Sequence, residues 1–297
     1  MFTGLSAFPL TPVSPAGFDE SGFIRLLARI TAAGADSIGV LGSTGCYAYF
    51  TRKQRRHIAE VAKAHAGEIP IMVCVGAVST DEVLRLAEDA QAAGAQALLL
   101  PPVSYQPLYE EEVFELFSTL SQHVSVPVCL YDNPRTTGFT FSDALYARIA
   151  SLPFIRSVKM PGLSSSPAEV QARIRQLKAL LPATMTLGIS GDASAGVGLN
   201  AGCDVWYSLC GGLFPQAAKA ITDAAQQNDA ARVRQLSEQL NPLWALFSKH
   251  GGSIRVMAAA AGVLGLTTAD CLPRPLRPLS ARDTEEVATV IRHLGLQ

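Results

Sequence analysis

The stretch FIRSVKMPG, residues 154–162, places a lysine near the end of an apolar, strand-like run, with Phe154, Ile155 and Val158 before Lys159 and Pro161-Gly162 after it. Taking an ammonium out of water without a partner costs several kcal/mol. The other lysines, Lys53, Lys63, Lys178, Lys219 and Lys249, fall on helical patterns where a solvated face is the natural reading. Lys159 alone lies in a strand. A strand-end lysine can reach past the strand to solvent or pair with a carboxylate, but no acid lies between Phe154 and Ser166. An apolar setting without a counter-charge favours the neutral amine, which attacks a carbonyl carbon to form a Schiff base.

Two further features have the chemistry to assist such an amine. Gly42-Ser43-Thr44-Gly45 closes the run SIGVLG with two small hydroxyl residues between glycines. Its N–H groups could turn towards an anion such as a carboxylate. It is not a phosphate-binding Walker loop, because no Lys-Ser/Thr follows the glycine. An ordinary turn, with Thr51 capping the next helix, remains open on this segment alone. Tyr131 ends VPVCLYD, where a phenol facing a cavity can donate or accept a proton; a tyrosine that merely caps a core is the competing reading. Asp192 in SGDAS reads as a helix N-cap rather than a magnesium ligand. The five histidines fall on helical patterns or near their ends, which argues against a His-rich zinc site. The residues call for no metal.

Positioning these groups requires strands whose ends converge. Eight apolar runs recur: GLSAFPL, SIGVLG, IPIMVCVG, ALLLPP, VPVCLYD, IRSVKM, TLGIS and VWYSL. Helical patterns lie between them, such as Phe23, Ile24, Leu27 and Ile30, then Val113, Phe117 and Leu120. AAGADSIGV, AAGAQALLL and NAGCDVWYS repeat one design, a helix end, a glycine and a strand. The strands are continuously apolar, as parallel strands covered on both faces are. Eight βα units in about 220 residues predict an α/β fold, a closed (β/α)8 TIM barrel, over residues 1–228. An open doubly wound sheet is the runner-up, and the G-x-G-x-x-G it would normally carry is absent. Residues 229–297 read as a C-terminal helical appendage packed on the barrel, with PRPLRPL (273–279) as a stiff connector.

The chain has 297 residues, 48% hydrophobic and 16% charged, with a net charge of −1. This balance points to neither a nucleic acid nor a membrane as partner. The first eleven residues lack the pattern of a signal peptide, and the six cysteines form no C-x-x-C pair. A cytoplasmic protein with free thiols is the expectation.

With G-S-T-G after the second run, Y-x-x-P after the fifth and a lysine ending the sixth, the chain resembles the dihydrodipicolinate synthase/N-acetylneuraminate lyase family of class I aldolases. LSAFPLTP at 5–12, Pro101-Pro102 and SGD at 190–192 extend the resemblance over essentially the whole chain. The resemblance implies Lys159 as the Schiff-base lysine, Tyr131 as proton shuttle and Thr44 in the proton relay. Ser43, Thr44, Gly45, Gly191, Thr136 and Trp206 would contact substrate. It further implies a homo-oligomer, tetramer or dimer, acting on pyruvate or another 2-oxo acid and an aldehyde without a cofactor. Four departures mark the second-substrate side. Thr136 stands where the synthases carry a carboxylate-gripping arginine, and Arg135 comes one residue early. Ser104 stands at the position of a tyrosine that reaches across subunits, with Tyr105 next to it. Cys46 replaces a usual glutamate, and Trp206 a smaller aliphatic residue. A related sugar-acid or aromatic aldolase or dehydratase, or a barrel that binds 2-oxo acids without catalysis, are the alternatives.

Overall fold

The computed structural model describes residues 2–163 and 166–296. Eight parallel strands close into a barrel: β1 (Gly4–Ala7), β2 (Ser37–Val40), β3 (Ile71–Cys74), β4 (Ala97–Leu100), β5 (Val128–Tyr131), β6 (Ile155–Met160), β7 (Thr186–Ile189) and β8 (Val205–Ser208). Each pairs with its neighbour in chain order, and β1 pairs with both β2 and β8. All eight coincide with the apolar runs read from the sequence. Closure leaves the barrel without an unpaired strand edge.

The helices form because their apolar residues recur on one face and their ends are capped. In the helix Glu20–Ala32, Phe23, Leu26, Leu27 and Ile30 are buried, whereas Ile24 is only partly so. The helix Arg52–His65 starts with a capping box in which Thr51 and Gln54 satisfy each other's N–H groups. Gly34, Gly94 and Gly202, the glycines of the three repeats, have φ of 67°, 89° and 105°. A Cβ resists that left-handed conformation, so glycine is what lets each helix turn back into a strand.

After β8 the described residues contain no strand. The helices Ala230–Gln239 and Asn241–Lys249 bury Val233, Leu243, Trp244 and Leu246; Ser253–Val263 and Ala281–His293 follow. The loop at 250–252, between the second and third of these helices, folds over the barrel's carboxyl mouth. No helix among the described residues is long and apolar enough to cross a membrane.

Candidate active site

β5 and β6 set the centre of the site. Tyr131 and Lys159 are register partners, so their side chains leave adjacent strands at one level. Both project into the barrel, and each is 5% exposed. The Lys159 amine lies 3.9 Å from the Phe8 ring centroid, 4.2 Å from that of Tyr131 and 5.8 Å from that of Tyr207. Among the described residues it has no hydrogen bond and no ion pair with a carboxylate. The two nearer rings lie within cation–π range of the amine.

The barrel interior needs glycines to admit these aromatic rings. A Cβ on Gly39 of β2 would lie 2.2 Å from Phe8 Cζ, and one on Gly188 of β7 would lie 2.2 Å from Tyr207 Cε2. Tyr207 forms the floor below the amine. Its hydroxyl lies 2.6 Å from Ser157 Oγ and 3.4 Å from Cys129 Sγ. Burial pushes the Tyr207 phenol well above its ordinary range and the Cys129 thiol up to about 11. Both remain protonated at neutral pH and act as packing.

The loop after β2 brings the hydroxyls. Leu41 and Cys46 bracket it at φ of 58° and 57°, a left-handed conformation that costs a side-chain-bearing residue about 1–2 kcal/mol. The Cys46 N–H donates to the Ser43 carbonyl at 3.2 Å, closing a tight turn. Ser43 Oγ is thereby placed 3.3 Å from Tyr131 Oη. Asn133 Nδ2 donates to the same phenol at 2.9 Å and approaches Ser43 Oγ at 3.3 Å.

These groups open into one cavity of about 600 Å³ at the carboxyl mouth of the barrel. Ser43, Thr44, Tyr131, Thr136, Lys159 and Gly191 all line it. Two residues do not. Gly45 turns onto its own loop, where a Cβ would meet Gly42 N and Leu41 Cα at 3.0 and 3.1 Å. Trp206 is fully buried on the outer face of β8, and its neighbour Tyr207 takes the inward position. The hydroxyl that reaches Tyr131 belongs to Ser43, because consecutive side chains of a tight turn diverge; Thr44 lines the cavity beside it.

Asp192 does not cap the helix that follows it. Its carboxylate accepts hydrogen bonds from Trp206 Nε1 at 3.1 Å, Ser208 Oγ at 2.9 Å and Cys210 N at 2.9 Å. Burial raises its pKa, against the pull of these three donors and of the Lys159 charge. The carboxylate ties β7 to β8 in the cavity wall. On the rim, Arg135 is exposed and has no hydrogen bond or ion pair among the described residues. A Cβ on Gly252 would lie 2.8 Å from its Nη2. Sequence reasoning missed both Asn133 as a neighbour of Tyr131 and the approach of the 250–252 loop. The first had a signal, an amide two residues past the strand-ending tyrosine.

Two other features lie apart from this centre. A concavity of about 550 Å³ sits outside the barrel near Ala168, Val197 and Ser237 and holds none of the strand-end residues. His250, Asp283 and Glu286 bring potential ligand atoms within 4.8 Å of one another, with Lys249 paired to both acids.

A closed parallel barrel with an unpaired amine, a phenol and a hydroxyl loop at its carboxyl mouth is the layout of a barrel enzyme. Comparison with known proteins makes the class specific. Residues 1–294 match the Dihydrodipicolinate synthetase family, and the chain belongs to that family. The structure is similar to that of a dihydrodipicolinate synthase from Agrobacterium tumefaciens, with 44% identity and a TM-score of 0.93 over 99% of this chain and 98% of the other. A 4-hydroxy-tetrahydrodipicolinate synthase from Hyphomonas neptunium is 28% identical over 100% of this chain and 98% of its own length. The fold is also that of the chloride-inhibited dihydrodipicolinate synthase from Acinetobacter baumannii, solved with pyruvate, at 23% identity and a TM-score of 0.90 over the whole of both chains.

Proposed function

We propose that this protein is a class I lyase that forms a Schiff base between Lys159 and pyruvate or a related 2-oxo acid, and makes or breaks a bond to an aldehyde. The observation that carries the reading is the pairing of Lys159 with Tyr131: a buried amine without a counter-ion, beside a phenol that touches Ser43. The Ser43–Thr44 turn holds the carboxylate of the 2-oxo acid, as exposed N–H and hydroxyl groups can. The amine attacks the ketone carbon. Tyr131 moves the protons with Ser43 and Thr44 beside it, and the resulting iminium is the electron sink. Gly191 and Thr136 line the same cavity and contact substrate in this reading.

The second substrate enters from the rim. Thr136 cannot grip a carboxylate as an arginine fork does, but Arg135 beside it supplies an unpaired cation. The aldehyde is therefore one that carries an anionic group. Relatives named 4-hydroxy-tetrahydrodipicolinate synthase make that condensation the nearest candidate. The family resemblance extends the proposal to a homo-oligomer, tetramer or dimer, and the six buried free thiols suit a reducing cytoplasm.

Borohydride added with pyruvate tests the reading. A stable three-carbon adduct on Lys159, found by peptide mass spectrometry, is the expected result. Binding of 2-oxo acids without any lysine adduct across a panel of them would instead identify a non-catalytic barrel.

A further inference from the structure

We infer that Asn133 is a positioning residue for the proton transfers of Tyr131, and that its amide is there to stabilise the phenolate formed when the imine forms. The inference rests on the Schiff-base reading of Lys159. The side chain of Asn133 has no structural task of its own. Its backbone carbonyl accepts from the N–H groups of Thr136 and Thr137 at 3.0 Å each, and from the Thr137 hydroxyl at 3.0 Å. Its side chain caps nothing. What the side chain does is place Nδ2 2.9 Å from Tyr131 Oη and 3.3 Å from Ser43 Oγ.

An amide nitrogen only donates. The phenol oxygen must therefore accept from Asn133, and the phenol's own proton is left to point at Ser43 or into the cavity. The chemistry then balances as follows. The neutral Lys159 amine bonds to the ketone carbon, and the ketone oxygen gains one proton from the amine through Tyr131. It gains a second from the Tyr131 phenol and leaves as water. The products are a protonated imine on Lys159, water and a Tyr131 phenolate. The phenolate can next take a proton from the carbon beside the imine, giving the enamine and restoring the phenol. In the first step the oxygen facing Asn133 gains negative charge, and in the second it gives that charge up. An N–H bond to an anionic oxygen is shorter and roughly twice as strong as one to a neutral oxygen. Asn133 thus favours the reacting state over the resting one. Because an amide does not pass protons on, it also closes that side of the relay.

Asn133→Ala and the isosteric Asn133→Asp separate this role from a merely structural one. Imine formation is timed by quenching pyruvate-loaded enzyme with borohydride across a pH series. The wild-type adduct on Lys159 is measured first, and its absence would count against the function itself rather than against Asn133. Asn133→Ala should bind pyruvate within about threefold of wild type and form the adduct about 10–100-fold more slowly, with the pH profile displaced. Asn133→Asp, which only accepts and places a negative charge at the nascent phenolate, should be slower still. A wild-type rate and pH profile in Asn133→Ala would overturn the inference. So would an Asn133→Asp enzyme as fast as wild type, since the amide would then be accepting rather than donating.

Discussion

Lys159 lies face-on to Phe8, amine to ring centroid 3.9 Å, because position 39 on the neighbouring strand has no side chain. The Phe8 ring fills the space a Cβ there would occupy, at 2.2 Å from Cζ. Both residues are fixed by the barrel: Phe8 N donates to the Ser208 carbonyl at 2.8 Å, and Gly39 pairs with Met72. Neither backbone can retreat.

Gly39→Ala should therefore push the ring towards the amine. Overpacking of this kind costs about 1–3 kcal/mol, visible as a lower Tm, and the displaced ring should slow borohydride trapping of pyruvate on Lys159. Adding Phe8→Leu should recover most of the stability and little of the trapping rate. If the single variant keeps both its Tm and its trapping rate, Phe8 does not hold the amine in place.

Asp132 gives a pH dependence with a definite sign. It is buried, its Oδ2 accepts from Tyr146 Oη at 2.5 Å, and its Oδ1 has no partner. Burial raises its pKa, and the Tyr146 hydrogen bond only partly opposes this. A carboxyl raised in the folded state contributes stability that is fully present below the ordinary carboxylate range. That contribution is lost as pH rises through the folded value. Asp132→Asn removes the charge and keeps an oxygen for Tyr146. The variant should gain stability relative to wild type as pH climbs from about 4 towards 7, with little difference below. Thermal melts across that range provide the check; a gap that widens towards acid would reverse the assignment.

Trp206 tests the direction of β8. Its indole donates to Asp192 from the outer face of the strand, so Trp206→Phe should leave a buried carboxylate short of one donor. A loss of about 1–3 kcal/mol is expected, while the KM for the 2-oxo acid stays within about twofold, because uniform substrate binding is untouched. A large rise in KM without a change in Tm would place the indole back in the cavity.

This strand also shows where the sequence stops being legible. The barrel was readable because βα repeats, continuous apolar runs and helix-ending glycines all agree. Gly34, Gly94 and Gly202 sit where their positive φ demands them. A strand buried on both faces, however, has no alternation of polarity to set its phase. VWYS offers two aromatic residues, and only pairing with β1 and β7 decides that Tyr207 faces in and Trp206 out. The loop after β2 hid its geometry similarly. Its chemistry is visible in Ser43 and Thr44, but which hydroxyl meets Tyr131 depends on left-handed Leu41 and Cys46, which no propensity favours. The loop over the rim arises from contacts between distant segments, whereas Asn133 meets a tyrosine only two residues before it and its amide was the signal to follow.

In the proposed function Arg135 is the residue that selects the aldehyde. The cavity is lined by two cations, Lys159 and Arg135, and by a single acid, Asp192, which is engaged by three donors. A substrate entering with its own negative charge meets an unpaired guanidinium at the rim, with side-chain-free Gly252 beside it. Since Arg135 makes no hydrogen bond or ion pair with Lys159, Tyr131 or Ser43, its loss should leave the first half-reaction alone. Arg135→Ala should trap pyruvate on Lys159 at the wild-type rate while raising the KM for carboxylate-bearing aldehydes about 10–100-fold, the scale of a lost charge-assisted hydrogen bond. Neutral aldehydes of similar size should respond by less than about threefold. Arg135→Lys restores the charge but not the fork and should fall between the two. Steady-state kinetics with a paired panel of charged and neutral aldehydes reads all of this. Equal losses for both kinds of aldehyde would show that Arg135 supports the shape of the rim and does not read the substrate's charge.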